Sequence, residues 1–252
     1  MGLLCRAVHK YLQVKKELTV ICIFVIIFLG LNQMIDLHTH TFFSDGVLSP
    51  SELVYRAKYK GYTAIALTDH IDYSNMETVI AGMTKVVKIL TENYGILVLT
   101  GAELTYIPPK LIKAAAAKCR KLGAEIIIVH GETVAETVPP KTNLCAVEAS
   151  VDILAHPGHL SEEEASIAAE NNVKIEITSR RGHNVTNKEV AEVALKKKAK
   201  LVLNTDTHSP ENLLSKETIA QILLNTGLPS NYYEIMQKNS LEIIESKRIQ
   251  WK

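Results

Sequence analysis

From Ile35 onward the chain repeats one pattern: a short apolar run, a polar cluster at its end, then a longer stretch with helical signals. The first run begins at Ile35, inside the segment M-I-D-L-H-T-H-T-F-F-S-D-G from Met34 to Gly46. The others cover residues 63–67, 96–100, 125–129, 151–155, 173–177 and 200–203. Runs this short and this apolar predict strands of a parallel sheet covered by helices on both faces. Ser49-Pro50-Ser51-Glu52 reads as a helix start, with proline early and an acid in the first turn, running to Lys60-Gly61. Further helices are predicted over about 76–93, closed by Gly95, and from Pro108-Pro109 to Leu122-Gly123. Ser161 with Glu162, Glu163 and Glu164 caps another. Residues 187–198, a stretch opened by Ser209-Pro210-Glu211, and about 231–247 complete the set, while the Pro139-Pro140 region reads as less regular.

Seven such βα units in one chain predict a barrel in a single domain. Every predicted strand ends in groups capable of chemistry, as barrels arrange them. An open doubly wound sheet would gather them at one switch point instead.

The first 33 residues break the pattern. Residues 18–31 are an apolar run of 14, preceded by Lys10, Lys15 and Lys16. That is shorter than the ~20 residues a spanning helix needs, and no small-residue cleavage site follows. The simpler expectation is an over-long reading frame whose start is Met34, giving a cytoplasmic protein of residues 34–252. The alternative is a membrane anchor at 18–31, which would keep its positive flank cytoplasmic.

Charge is nearly balanced, at 28 Lys+Arg against 27 Asp+Glu. Nothing here resembles a basic footprint for duplex nucleic acid, and no nucleic-acid partner is expected. The cysteines (Cys5, Cys22, Cys119, Cys145) show no C-x-x-C pairing and read as reduced thiols.

Histidine placement carries the chemistry. Six of the nine histidines (His38, His40, His70, His130, His156 and His208) fall at predicted strand ends. Glu103 and Asp206 occupy matching positions, and Asp45 lies just beyond one. Residues two apart on a strand share a face, so His38 and His40 project together. Imidazoles beside carboxylates suit borderline cations such as zinc, manganese or iron. Nine donors exceed what one ion can use, so two or three divalent transition-metal ions are expected, with Glu103 the natural bridge.

The ordered set H-x-H at His38/His40, S-D-G at Asp45, T-D-H at His70, G-x-E at Glu103, His130, H-P-G at His156 and D-x-H at Asp206/His208 resembles the PHP (polymerase and histidinol phosphatase) superfamily, from about Met34 to the C-terminus. The resemblance implies a distorted seven-stranded (β/α) barrel, TIM-like, with a trinuclear metal centre. It also implies the partition of ligands: His38, His40, Glu103 and Asp206 on one ion; Glu103, His130 and His156 on a second; Asp45, His70 and His208 on a third. A water bridging two cations loses a proton near neutral pH and can attack a phosphoryl group whose charge the cations draw off. Asp69 is a candidate for orienting a ligand imidazole from behind. Arg180 and Arg181, with His183 and, on weaker grounds, His159, are candidates for holding a substrate phosphate.

The function expected is hydrolysis of a small, histidinol-phosphate-like phosphomonoester. Two alternatives belong to other classes. Amidohydrolases also begin with H-x-H, but usually place a metal-bridging lysine on strand four, where His130 stands here. A non-catalytic metal-binding barrel would be expected to have lost ligands.

Overall fold

The computed structural model describes residues 34–248; the predicted extension 1–33, with its apolar run 18–31, lies outside the described residues. Among the described residues no helix is long and apolar enough to cross a membrane.

Among the described residues eight strands form: β1 (Ile35–Asp36), β2 (Ala64–Leu67), β3 (His70–Ile71), β4 (Leu97–Leu104), β5 (Ile126–His130), β6 (Ile153–Ala155), β7 (Lys174–Thr178) and β8 (Leu201–Asn204). All pairings are parallel, in the order β1-β2-β4-β5-β6-β7-β8. The extra strand β3 continues the line of β2. Residues 64–67 of β2 pair with 97–100 of β4, and His70 and Ile71 pair with Glu103 and Leu104. The two ends of the sheet also meet: the His40 amide donates to the Thr207 carbonyl at 2.8 Å, and the Asp206 amide to the His38 carbonyl at 2.9 Å. The sheet is therefore a nearly closed, distorted barrel of seven parallel strands, as the sequence predicts.

Alternation along these strands separates two apolar layers. Ile35, Ala64, Ala66, Leu97, Leu99, Ile126, Ile128, Ile153 and Val202 fill the barrel. Their neighbours, such as Ile65, Val98, Ile127, Leu154, Ile175 and Leu203, pack outward with the helices. The helices are α1 (Pro50–Tyr59), α2 (Met76–Tyr94), α3 (Ile112–Leu122), α4 (Thr142–Glu148), α5 (Glu162–Glu170), α6 (Asn187–Lys196), α7 (Lys216–Thr226) and α8 (Tyr232–Arg248). The predicted caps hold. Ser49 accepts from the Glu52 amide, Ser161 and Glu164 form a capping box, and Gly95 and Gly123 close α2 and α3 in left-handed conformation.

Within the less regular Pro139-Pro140 region a short helix, α4, follows the prolines. One local expectation needs correction. Ser209-Pro210-Glu211 does not open a long helix but a single 3₁₀ turn, Pro210–Asn212. The chain then extends at Leu213 so that Leu213 and Leu214 are buried, and α7 starts afresh behind Ser215, whose hydroxyl accepts from Thr218.

Helix α8 closes the N-terminal end of the barrel. Its Ile243 and Ile244 join the inner apolar layer, each burial worth about 1.5–3 kcal/mol. Polar anchors hold it there: Gln237 Oε1 accepts from the Ile35 amide at 2.7 Å, and Asn239 donates to the Leu201 carbonyl at 2.7 Å. Lys247 pairs with Asp152, and Glu242 meets Lys200 at 2.6 Å and Lys174 at 3.6 Å. With that end sealed, the C-terminal rim is where polar side chains can converge.

Candidate metal centre

The donors reach the rim through breaks in regular strand geometry. Strand β1 stops after Asp36, and a single parallel bridge, Thr39 to Thr207, resumes the ladder. In the loop that follows, Gly46 is required, since a Cβ there would lie 2.4 Å from the His40 carbonyl oxygen. That close approach folds Asp45 back over the strand end. Two donors come from backbone that L-residues rarely adopt, His156 at φ +25° and Asp206 at φ +52°. Strain of this kind costs about 1–3 kcal/mol and tends to be kept where function needs it.

All nine predicted ligands converge. His38, His40 and Glu103 form one group with donor atoms within 4.8 Å of one another, and Glu103, His130 and His156 form a second. His40, Asp45, His70 and His208 form a third, and His38, His156 and Asp206 a fourth. Glu103 lies between them, with Oε1 3.2 Å from His38 Nε2 and 3.5 Å from His156 Nε2, and Oε2 3.5 Å from His40 Nε2. Tetrahedral donors at metal–ligand distances of about 2.0–2.2 Å sit roughly 3.3–3.6 Å apart. His40 stands between two groups, 3.1 Å from Asp206 and 3.9 Å from Asp45.

Whether these residues fit metal ions can be tested on their hydrogen bonding. Among the described residues, nine buried side-chain nitrogens and oxygens lack a well-directed hydrogen-bond partner. Every one belongs to this cluster or its lining: His38 Nε2, both nitrogens of His40, both oxygens of Glu103, His156 Nδ1, Asp206 Oδ1, Glu176 Oε1 and His183 Nδ1. Leaving such atoms unpaired costs about 1–3 kcal/mol each. A fold that concentrates them at one place is built around something that satisfies them, and the donor chemistry matches divalent cations.

The ring nitrogens facing away from the cluster are tied down. His38 Nδ1 meets Glu176 Oε2 at 2.8 Å, and Asn204 Nδ2 donates to that same oxygen at 2.9 Å. His208 Nδ1 meets the Asp206 carbonyl at 2.9 Å. These contacts leave Nε2 of His38 and His208 for ligation. His70 is turned the other way, its Nδ1 2.7 Å from Glu103 Oε2 and 2.7 Å from Thr105 Oγ1. Without ions the groups shift one another strongly. Burial opposes charge on Glu103, but His38 and His70 hold its carboxyl well below the usual range. Burial also opposes charge on His70, yet Glu103 raises it to about 9, whereas for His40 burial wins and lowers it to about 3.

Outside the nine, the placements differ from expectation. Asp69 orients no imidazole. It accepts from Thr41 N at 2.8 Å, Thr41 Oγ1 at 2.9 Å, Ser44 N at 3.0 Å and Ser44 Oγ at 2.8 Å, and so fixes the loop that carries Asp45. The carboxylate that does back an imidazole is Glu176, which sequence reasoning missed. Its signal was faint: a charge at the middle of the buried β7 strand, K-I-E-I-T. Also missed was Glu136, on the loop after β5, which lies 3.3 Å from His130 and 3.4 Å from His183. The side-chain hydrogen bond from His130 is what holds its carboxyl down at about 2. Arg180 is brought in, with Nε 3.7 Å from Asp206 Oδ2 and Nη1 donating to the Asp206 carbonyl at 3.3 Å. His183 is buried, its ring centroid 4.5 Å from that of His156. Arg181 is exposed, and His159 is 72 % exposed and paired with Glu189 of α6. The geometry brings Arg180 and His183 to the cluster and leaves the other two outside.

Comparisons with known proteins agree with this architecture. An uncharacterized protein of Methanocaldococcus jannaschii is 49 % identical over 201 residues, 79 % of this chain and 92 % of that one. A 5'-3' exoribonuclease of Haemophilus influenzae is 43 % identical over 70 residues, 28 % of this chain and 23 % of that one. Among solved structures, a Xaa-Pro dipeptidase superposes with a TM-score of 0.59 at 15 % identity, covering 87 % of this chain and 76 % of that one. At that identity the likeness is one of fold, shared by hydrolases of different chemistry. A family model decides the affiliation: it spans residues 36–207, and the chain belongs to the PHP domain family.

Proposed function

We propose that this protein is a metal-dependent phosphoesterase that hydrolyses a small phosphomonoester, using two to three divalent transition-metal ions held by the nine rim donors. The observation that carries this reading is the concentration of unpaired buried donors at the rim beside Arg180. His38, His40, Glu103 and Asp206 would hold one ion, Glu103, His130 and His156 a second, and Asp45, His70 and His208 a third. When bound, such ions supply Lewis acidity toward phosphoryl oxygens and lower the pKa of water.

The remaining work falls to the chain itself. Glu176 fixes the His38 tautomer, so that Nε2 faces the cluster as an acceptor. Asp69 holds the loop that delivers Asp45. Arg180, anchored through Nε and Nη1 on Asp206, keeps its outer nitrogen for a phosphate oxygen. His183, 3.4 Å from Glu136, lines the same wall and can donate to the phosphate or its leaving oxygen.

An amidohydrolase-type reaction fits less well. Its usual bridging lysine has no counterpart at the end of β5, where His130 stands, and the one lysine buried among the described residues, Lys174, lies at the opposite end of the barrel. Cleavage at an RNA end is a second reading, favoured by the local likeness to the exoribonuclease.

The test is turnover of a phosphomonoester panel, beside a dinucleotide and a dipeptide, by protein stripped of metal and reloaded with manganese, zinc or cobalt. Metal-dependent release of phosphate is the expected result. Hydrolysis of the dipeptide alone would overturn the proposal.

A further inference from the structure

Asp45 is the rim donor that the fold encloses least. Its side chain is 54 % exposed, and that of no other donor exceeds the 27 % of His70. Its place is therefore set by its loop rather than by packing around it. That loop is held from two sides. On the strand side Asp69 accepts from Thr41 and Ser44, and the Val47 amide donates to the His208 carbonyl at 2.8 Å. On the other side Phe43, two residues before Asp45, packs partly buried against the helical layer. Its ring reaches Gly82, inside the unbroken helix α2, where glycine is the poorest former after proline. Space explains the glycine. A Cβ there would lie 2.8 Å from Phe43 Cζ, 3.0 Å from Cε1 and 3.5 Å from Cε2, and these are the three nearest atoms it would meet. The notch at Gly82 fits the tip of one side chain.

We propose that Phe43 and Gly82 are positioning residues, a ring and notch that set where Asp45 stands and so how tightly the ion assigned to Asp45, His70 and His208 is held. This rests on the metal-centre part of the phosphoesterase reading and deepens it. Carbon atoms in contact rest about 3.5–4.0 Å apart, so a methyl at Gly82 would push the ring tip back by roughly 0.7 Å or more. Metal–ligand distances tolerate only about 0.2 Å. Asp45 is two residues from that ring, while its carboxylate stands 3.1 Å from His208 Nε2 and 3.7 Å from His70 Nε2. A shift of the ring that reaches Asp45 at even a third of its size spoils this site. The other two ion sites take no donor from the loop.

The experiment uses the full-length protein loaded with manganese. Bound manganese per chain is counted by elemental analysis as a competing chelator is raised, for wild type, Gly82→Ala, Phe43→Leu and the double variant. Gly82→Ala should weaken the third ion about ten- to a hundredfold. The other two ions should leave at the same chelator concentration as in wild type, and their retention is the folding control. Phe43→Leu, which leaves the notch underfilled, should weaken the third ion less. In the double variant the shorter leucine tip meets the alanine methyl, and most of the affinity should return. Two independent losses would add instead of cancelling. A double variant that binds no tighter than Gly82→Ala overturns the inference, as does loss of all the ions together. Three ions in wild type and an unchanged third ion in Gly82→Ala overturn the positioning role while leaving the metal centre intact. A wild type that never takes a third ion overturns both.

Discussion

The two ends of the barrel solve the problem of buried charge in opposite ways. At the N-terminal end Asp152 accepts from the Ile127 amide and pairs with Arg120 and Lys247, and Glu242 answers Lys174 and Lys200. At the C-terminal rim, imidazoles and carboxylates face one another with their donor atoms unpaired. The first arrangement is complete as it stands and holds α8 in place. The second is costly until something outside the chain enters it. A polar cluster thus reads as structural when its members satisfy one another, and as a site when they do not.

The largest effect should come from the residue that most rim donors share. Glu103→Ala should remove more than one ion per chain by elemental analysis. Turnover should fall by well over the roughly hundredfold that loss of an outer partner causes. Asp45→Ala or His208→Ala should deplete a single ion. If Glu103→Ala keeps its full metal complement, the bridging role is wrong. Next in size is a break at the opposite end. Asp152→Ala leaves the Ile127 amide, Arg120 and Lys247 without their acceptor. Because Arg120 is partly open to water, the loss should be about 2–3 kcal/mol of stability, read as a lower Tm with metal content unchanged. A change in metal content would erase the distinction between the two ends.

Much of this was legible in the chain itself. Strand runs such as 125–129 declare themselves because both faces are buried, and the histidines mark where those runs stop. What escaped was either non-local or too short to leave a pattern. Glu176 acts on His38 across 138 residues of sequence, and only the closing of the barrel brings β7 opposite β1. Glu136 comes from a loop with no periodicity to place it. Asp69, adjacent to His70, invited a local reading, but its carboxylate turns toward Thr41 and Ser44 instead. The false helix start at Ser209 had proper capping residues, yet burying Leu213 and Leu214 outweighed continuing the turn.

A smaller effect tests the layer behind the rim. Glu176→Gln keeps an oxygen for His38 but removes the negative charge that makes the imidazole a better donor. Metal affinity should fall about ten- to a hundredfold, measured by competition with a chelator. Stability of the metal-free protein should change little by comparison. Equal affinity in the two proteins would reduce Glu176 to a packing residue.

The smallest predicted effect falls between the two ends, at Asp36. It is buried on β1 and accepts from the Thr205 hydroxyl at 2.6 Å and from the Thr205 and His38 amides, each at 3.2 Å. Among the described residues no cation pairs with it directly, and burial pushes its carboxyl up to about 7 despite those hydrogen bonds. A raised folded-state pKa means that the folded protein holds the proton more tightly than the unfolded chain, whose aspartates titrate near 3.9. The associated stability is fully present below that value and is lost as pH rises through about 7. An asparagine in its place would copy the protonated form: its oxygen can accept from the two amides, and its amide can face the Thr205 hydroxyl. Asp36→Asn should therefore flatten the decline in Tm of metal-free protein between pH 5 and pH 8, and gain relative to wild type at the upper end. An unchanged slope would mean that Asp36 stays ionised throughout, with its hydrogen bonds alone doing what cations do for Asp152.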